Sequence, residues 1–164
     1  VNFSISGRRA LGAPPVLALL LTATAACTSG DGGTDVAVPE PGAESVRLCR
    51  DLDRELPDRV AGQRREDPAA SQLTAAWGDP AYVLRCGVTR PDKMDDPKAD
   101  GVDVDGVGWL LEKRSDGSFR FTTTLRKAYV EVTVPEDRAS EGLAPLTDLA
   151  PPVKKTIPKG VSSD

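Results

Sequence analysis

Between residues 44 and 57 the apolar side chains Val46, Cys49, Leu52 and Leu56 recur every three or four positions, with Arg47, Arg50, Asp51, Asp53 and Arg54 between them. That period places the apolar set on one face of a helix. Pro41-Gly42 leads into it and Pro57 ends or bends it. Asp58 to Asp67 is strongly charged, with Val60 as its one large aliphatic residue, and reads as a short turn of helix followed by a surface loop. The pattern then shifts towards strand. Ser71 to Trp77 leads into a Gly78-Asp79-Pro80 turn, and Ala81 to Val88 is rich in strand formers. A polar loop with Pro91 and Pro97 covers 89–101. Val107–Arg114 and Phe119–Leu125 flank a hairpin signal with Asp116-Gly117 at its tip. Ala128 to Val134 alternates, with Val130, Val132 and Val134 on one face and Tyr129, Glu131 and Thr133 on the other. Leu143, Leu146, Leu149 and Val153 return to helical spacing, so a second helix is expected over Glu141–Ala150, broken around Pro151-Pro152, with a disordered tail over 154–164. The expected fold is α+β in two layers: an N-terminal helix, an antiparallel meander sheet of three to five strands and a C-terminal helix. The scarce aromatics (Trp77, Tyr82, Trp109, Phe119, Phe121 and Tyr129) are expected mostly in its core.

The first 26 residues do not fit that domain. Arg8 and Arg9 precede an apolar run from Leu11 to Leu21, and Thr22 to Ala26 are all small. This is the order of a secretory leader: basic region, short apolar core, small-residue cleavage site. The core falls short of the roughly 20 residues a membrane span needs. Cys27 follows at once, so Thr24-Ala25-Ala26-Cys27 is similar to a bacterial lipobox, with Thr24 in place of the usual leucine. In that reading 1–26 is a lipoprotein signal peptide and Cys27 carries the lipid. The chain is then held on the outer face of the cytoplasmic membrane, since several acyl chains on one residue give stable attachment. The Gly-, Thr- and Asp-rich residues after Cys27 make 27–43 a flexible tether, and 44–153 is a single α+β domain. The twin arginines fit both folded and unfolded export.

With Cys27 assigned to lipid, Cys49 and Cys86 remain as an even pair. An exported domain in an oxidising space favours their union, which staples the first helix to the sheet. Carboxylates outnumber cations 25 to 21, and the excess grows once Arg8 and Arg9 leave with the leader. That balance argues against nucleic acid as a partner.

Chemistry-bearing motifs are few. The chain has no histidine, which removes Ser-His-Asp triads, Cys-His nucleophiles and histidine zinc sites together. Ser-x-x-Lys, a P-loop and GxGxxG are absent as well, and no cofactor is expected. Residues 101–112 partly match a calcium loop, with Asp103, Asp105, Gly106 and Glu112 at four of its positions but Gly101 where the leading aspartate belongs. Two basic clusters, Arg64-Arg65 and Arg126-Lys127, read as surface charge or as contacts with anionic headgroups or wall polymers. Carboxylate-based catalysis remains as an alternative, and Asp79 and Glu131 are the pair to test.

The stretches LCRDL–ELP (48–57), TAAWGDPAYVLRCGV (74–88), VGW (107–109) and RFTTTLR–AYVEVTVP (120–135) together resemble the DUF3515 family, over roughly residues 45–150. The resemblance implies an exported actinobacterial envelope protein, often with a lipoprotein signal. It supplies no catalytic residues. The functional expectation is therefore a lipid-anchored envelope protein that is not an enzyme and acts as a binding or accessory module. Its possible partners are an envelope protein or a wall polymer. The alternatives are a carboxylate hydrolase of envelope glycans or peptides and a structural stabiliser of a membrane complex.

Overall fold

Helix α1 spans Ala43–Glu55 and turns Leu48, Cys49 and Leu52 inward, as the three-and-four spacing predicts. The computed structural model describes residues 36–66, 71–79 and 82–161. The leader, Cys27 and the first part of the tether lie outside them. The described residues belong to one compact unit. The tether expected over 27–43 gives way to the domain earlier than that. Pro39 is buried, and Pro41 packs on Gly87, where a Cβ would come within 2.4 Å of the proline ring.

Beyond α1, residues 59–64 are a hairpin rather than a helical turn and loop: β1 (Arg59–Val60) pairs antiparallel with β2 (Gln63–Arg64). The Ala61-Gly62 turn takes positive φ at both residues, the geometry that suits a two-residue hairpin. Val60 is fully buried, and the Ala61 N–H donates to Asp148 Oδ2 at 2.7 Å. One buried valine is too short a signal to reveal this in a charged stretch.

The main sheet has six strands: β3 (Thr74–Trp77), β4 (Tyr82–Cys86), β5 (Gly101–Val104), β6 (Val107–Lys113), β7 (Phe119–Thr123) and β8 (Val130–Val134). Their order is β3-β4-β8-β7-β6-β5, and every neighbouring pair is antiparallel. β6 to β8 form the expected meander, and β8 lies beside β4. β5 extends the meander as a strand the sequence pattern did not predict, so the sheet exceeds the expected three to five strands. The register puts Leu84 opposite Val132, Cys86 opposite Val130 and Phe121 opposite Val132. Tyr82, Leu84, Cys86, Phe121 and the three valines of β8 thus share one face, and all are buried.

The second helix, α2, covers that face with Leu146, Leu149, Ala150 and Val153, and Ile157 beyond it is fully buried too. α2 runs Ala144–Thr156, straight through Pro151 and Pro152. The expected break does not occur. Two proline nitrogens cost the helix two hydrogen bonds, but the buried stripe continues past them, and the Ile157 N–H still bonds Val153 O at 2.9 Å. Packing outweighs local propensity here. For the same reason the tail expected from 154 is part of the fold at least to Gly160, whose N–H donates to Leu125 O at 3.0 Å. Cys49 and Cys86 are joined by a disulfide, Cα–Cα 5.5 Å, which fixes α1 to the end of β4.

No helix among the described residues is long and apolar enough to cross a membrane.

Candidate functional site: a cleft on the open face of the sheet

The face of the sheet away from the helices splits into a charged half and a hollow half. Across four adjacent strands the charged half runs Arg85 (β4), Glu131 (β8), Arg120 (β7) and Glu112 (β6). Arg85 reaches Glu131 at 3.2 Å, Arg120 reaches Glu112 at 2.9 Å, and Arg120 lies 3.7 Å from the second oxygen of Glu131. Glu131 is only 6 % exposed. The hydrogen bond from Arg120 to Glu112 raises the arginine's pKa against the opposing effect of burial. Cross-strand opposite charges at this spacing stabilise a sheet face. Glu131→Ala leaves two arginines without their shared counter-charge. Because their side chains remain 32 % and 26 % exposed, water screens part of the loss, and about 2 kcal/mol is expected. Urea unfolding of the variant against Glu131→Gln, for which about half that loss is expected, checks it.

The hollow half is a cleft of about 650 Å³. Gly101 and Asp103 of β5 and Gly108 and Leu110 of β6 lie along its base, since the register puts them on this face. Gly108 needs no unusual backbone angle. It is small because a Cβ there would come within 2.5 Å of Thr124 Oγ1. Arg90 and Met94 line the cleft from the 89–100 segment, which is not all loop: Asp92–Asp95 is a turn of 3-10 helix. Tyr129, expected in the core, is buried but belongs to this face and lines the cleft. Leu125 and Val161 also line it, 71 % and 66 % exposed.

Arg126 builds that margin. Expected as surface charge, it is instead 3 % exposed. Its guanidinium donates to Ile157 O at 2.8 Å and to Gly106 O at 3.1 Å. Around it the chain end pairs with the loop: Arg126 bridges Lys159, and Lys127 N–H donates to Pro158 O at 3.0 Å. Leu125 sits at φ +50 inside this clasp, a region unfavourable for a leucine. Of the other cluster, Arg64 is exposed and Arg65 pairs with Asp53.

The calcium-loop match dissolves into a hairpin. Asp105 and Gly106 both have positive φ and form the two-residue β5–β6 turn, the standard use of Asp-Gly. Asp103 Oδ1 accepts from Gly106 N–H at 2.9 Å, and Asp105 O accepts from Lys154 at 3.2 Å. Glu112 lies four residues along β6 from Gly108, the partner of Asp103, a separation of about 13 Å. Its carboxylate accepts from Arg120 instead. No group of three possible ligands among the described residues is arranged to hold a metal ion.

The carboxylates Asp79 and Glu131 are not brought together. Asp79 lies in the β3–β4 turn, and Glu131 stands opposite Arg85 near the far end of β4. The described carboxyls with displaced pKa values (Asp95, Asp96, Asp116 and Glu141) are all held low, each chiefly by a side-chain hydrogen bond: from Arg90, Lys93, Ser118 and Tyr82 respectively. That is the reverse of what a general acid requires.

Residues 11–161 match the model of a family described as a protein of unknown function, DUF3515. No curated protein matches this chain, and no solved structure does.

Proposed function

Taking as premise that this chain belongs to the DUF3515 family, a family without an assigned activity, we propose that it is a lipid-anchored, non-catalytic binding module on the outer face of the cytoplasmic membrane. The cleft is the observation that carries the binding reading. It is a concave, mainly apolar hollow with a few polar groups, the usual character of a ligand site. Leu125 and Val161 stand exposed beside it on backbone that Arg126 holds in place. Two things weigh against carboxylate hydrolysis as the main role. Glu131 is neutralised by two arginines, and the displaced carboxyls are low rather than high. The lipid anchor rests on the sequence around Cys27. The Cys49–Cys86 bridge suits the oxidising compartment that such an anchor implies.

Two cell experiments test this reading. In the first, Cys27→Ser moves the protein from the membrane fraction to the soluble one; a variant that stays fully membrane-bound ends the anchor claim. In the second, a photo-crosslinking residue placed at Leu125 gives discrete heavier species after illumination. The same residue at Leu143, also exposed but not part of the cleft, does not. Equal yields at both positions, or none at either, would remove the cleft as the binding site.

A further inference from the structure

We infer that the ligand of this cleft is an extended segment of a partner protein, carrying apolar and basic side chains, which adds to the free edge of β5 as a further strand. The inference rests on the binding reading above and names the class of ligand.

The two edges of the sheet are not equivalent. The β3 edge is closed by the small hairpin: Glu66 N–H donates to Ala76 O and Gly78 N–H to Arg64 O, both at 2.9 Å. The β5 edge is not closed in this way. Thr124 N–H donates to Gly108 O and Leu111 N–H to Asp100 O, both at 2.8 Å. Because antiparallel bonding alternates, Gly108 bonds towards β7, whereas Trp109 and Leu111 bond towards β5. Val102, opposite Trp109, therefore faces β6 with its backbone groups. Gly101 and Asp103 present their N–H and C=O outward, and neither residue's backbone groups make a hydrogen bond to another described residue. An exposed row of this kind is a template for another strand.

The cleft lies on the same strand. Gly101 has no side chain to fence it off from the edge, so the side chains of an added strand that face this way reach Leu110, Tyr129 and Met94. Leu125 and Val161 are two of the four large apolar side chains exposed among the described residues, and both line this hollow.

The charges here call for a basic occupant. Arg90 is paired with Asp95, and Lys93 with Asp96. Asp100 and Asp103 line the cleft, and neither forms an ion pair among the described residues. Arg126 exerts some attraction on Asp103, but its hydrogen bonds go to the carbonyls of Ile157 and Gly106. An acyl chain would satisfy the apolar walls yet leave the two aspartates and the outward peptide groups unmatched.

The test is a display library of random octapeptides panned against the full chain. Enriched sequences should alternate apolar residues with lysine or arginine. The best of them, made synthetically, should bind at least tenfold more weakly when its alternate amides are N-methylated, and likewise to Gly101→Pro, which removes one outward N–H. Asp103→Asn should weaken binding about threefold, and Leu143→Ser should leave it unchanged. If Gly101→Pro fails to fold, the N-methylated peptides still decide. Binding indifferent to N-methylation, or enrichment of acidic sequences, overturns the inference and leaves the cleft as a binding site. No enrichment at all also overturns it. In that case the Leu125 crosslinks decide separately whether the binding reading survives.

Discussion

Arg126→Met lowers the stability of the domain by about 3 kcal/mol and frees the chain beyond Ile157. The guanidinium is buried, and it satisfies carbonyls on two separate pieces of chain, the β5–β6 turn and the end of α2. Hydrogen bonds from a charged donor contribute about 1.5–3 kcal/mol each. Methionine fills much of the volume but leaves both oxygens without a donor. The loss stays below the sum of the two bonds because burying the cation has its own cost, visible as a lowered arginine pKa that Asp103 only partly offsets. Lys127→Met next door is the control. Its ammonium is exposed and makes a long contact, 3.4 Å, with Glu44, so it should shift stability by no more than about 0.5 kcal/mol. Urea midpoints measure both variants. Amide exchange at Gly160, bonded to Leu125 O, reports whether the clasp opens. Equal midpoints for the two variants would mean that Arg126 is not the fastener described here.

Replacing both Cys49 and Cys86 by alanine costs about 4 kcal/mol, the chain-entropy value for a loop of this size; the cysteines are 37 residues apart. Against a typical total of about 5–15 kcal/mol this is a large fraction. The effect falls on α1 in particular. That helix shares no strand pairing with the sheet and is held by its buried face, by α2 and by the bridge. Thermal melts with and without reductant should therefore show α1 lost first, as helical signal that fades before the tryptophan signal of the sheet. Loss of less than about 1 kcal/mol would mean that burial of Leu48, Leu52 and Leu56 alone is enough.

What was legible in the sequence follows from how each element makes its contacts. α1, β4 and the β6–β8 meander were readable because each buries one face with a clean period, and Asp116-Gly117 announced its own turn. The bridge was readable by parity once Cys27 was set aside. The 59–64 hairpin was not, since its single buried residue, Val60, gives no period. β5 was hidden by Asp103 and by the flanking Asp100 and Asp105: an edge strand with one open face shows only Val102 and Val104 as strand formers, and Asp105-Gly106 looked like a metal loop before it was a turn. The continuity of α2 was hidden by Pro151-Pro152, whose local cost is plain while the packing that overrides it is not. The cleft was least visible of all. Leu125 and Val161 stand alone among polar neighbours, and the burial of Arg126 depends on two carbonyls contributed from distant parts of the chain. One available hint was Gly108, a glycine inside the otherwise strand-forming stretch Val107–Arg114.

The order of the strands also sets an order of events. β5, β6, β7 and β8 pair with their neighbours in sequence, so the meander can assemble from short loops. β4 must wait for β8, its partner across the sheet. Meanwhile Cys49 and Cys86 both precede the meander in the chain and can be oxidised before β8 is in place. An early bridge would hold α1 against a hairpin whose inner edge, the backbone of Tyr82 to Cys86, is still bare. Such an edge is the one most open to pairing with another chain. In this fold, oxidation that runs ahead of β8 docking is the step at which refolding yield should be lost to aggregation.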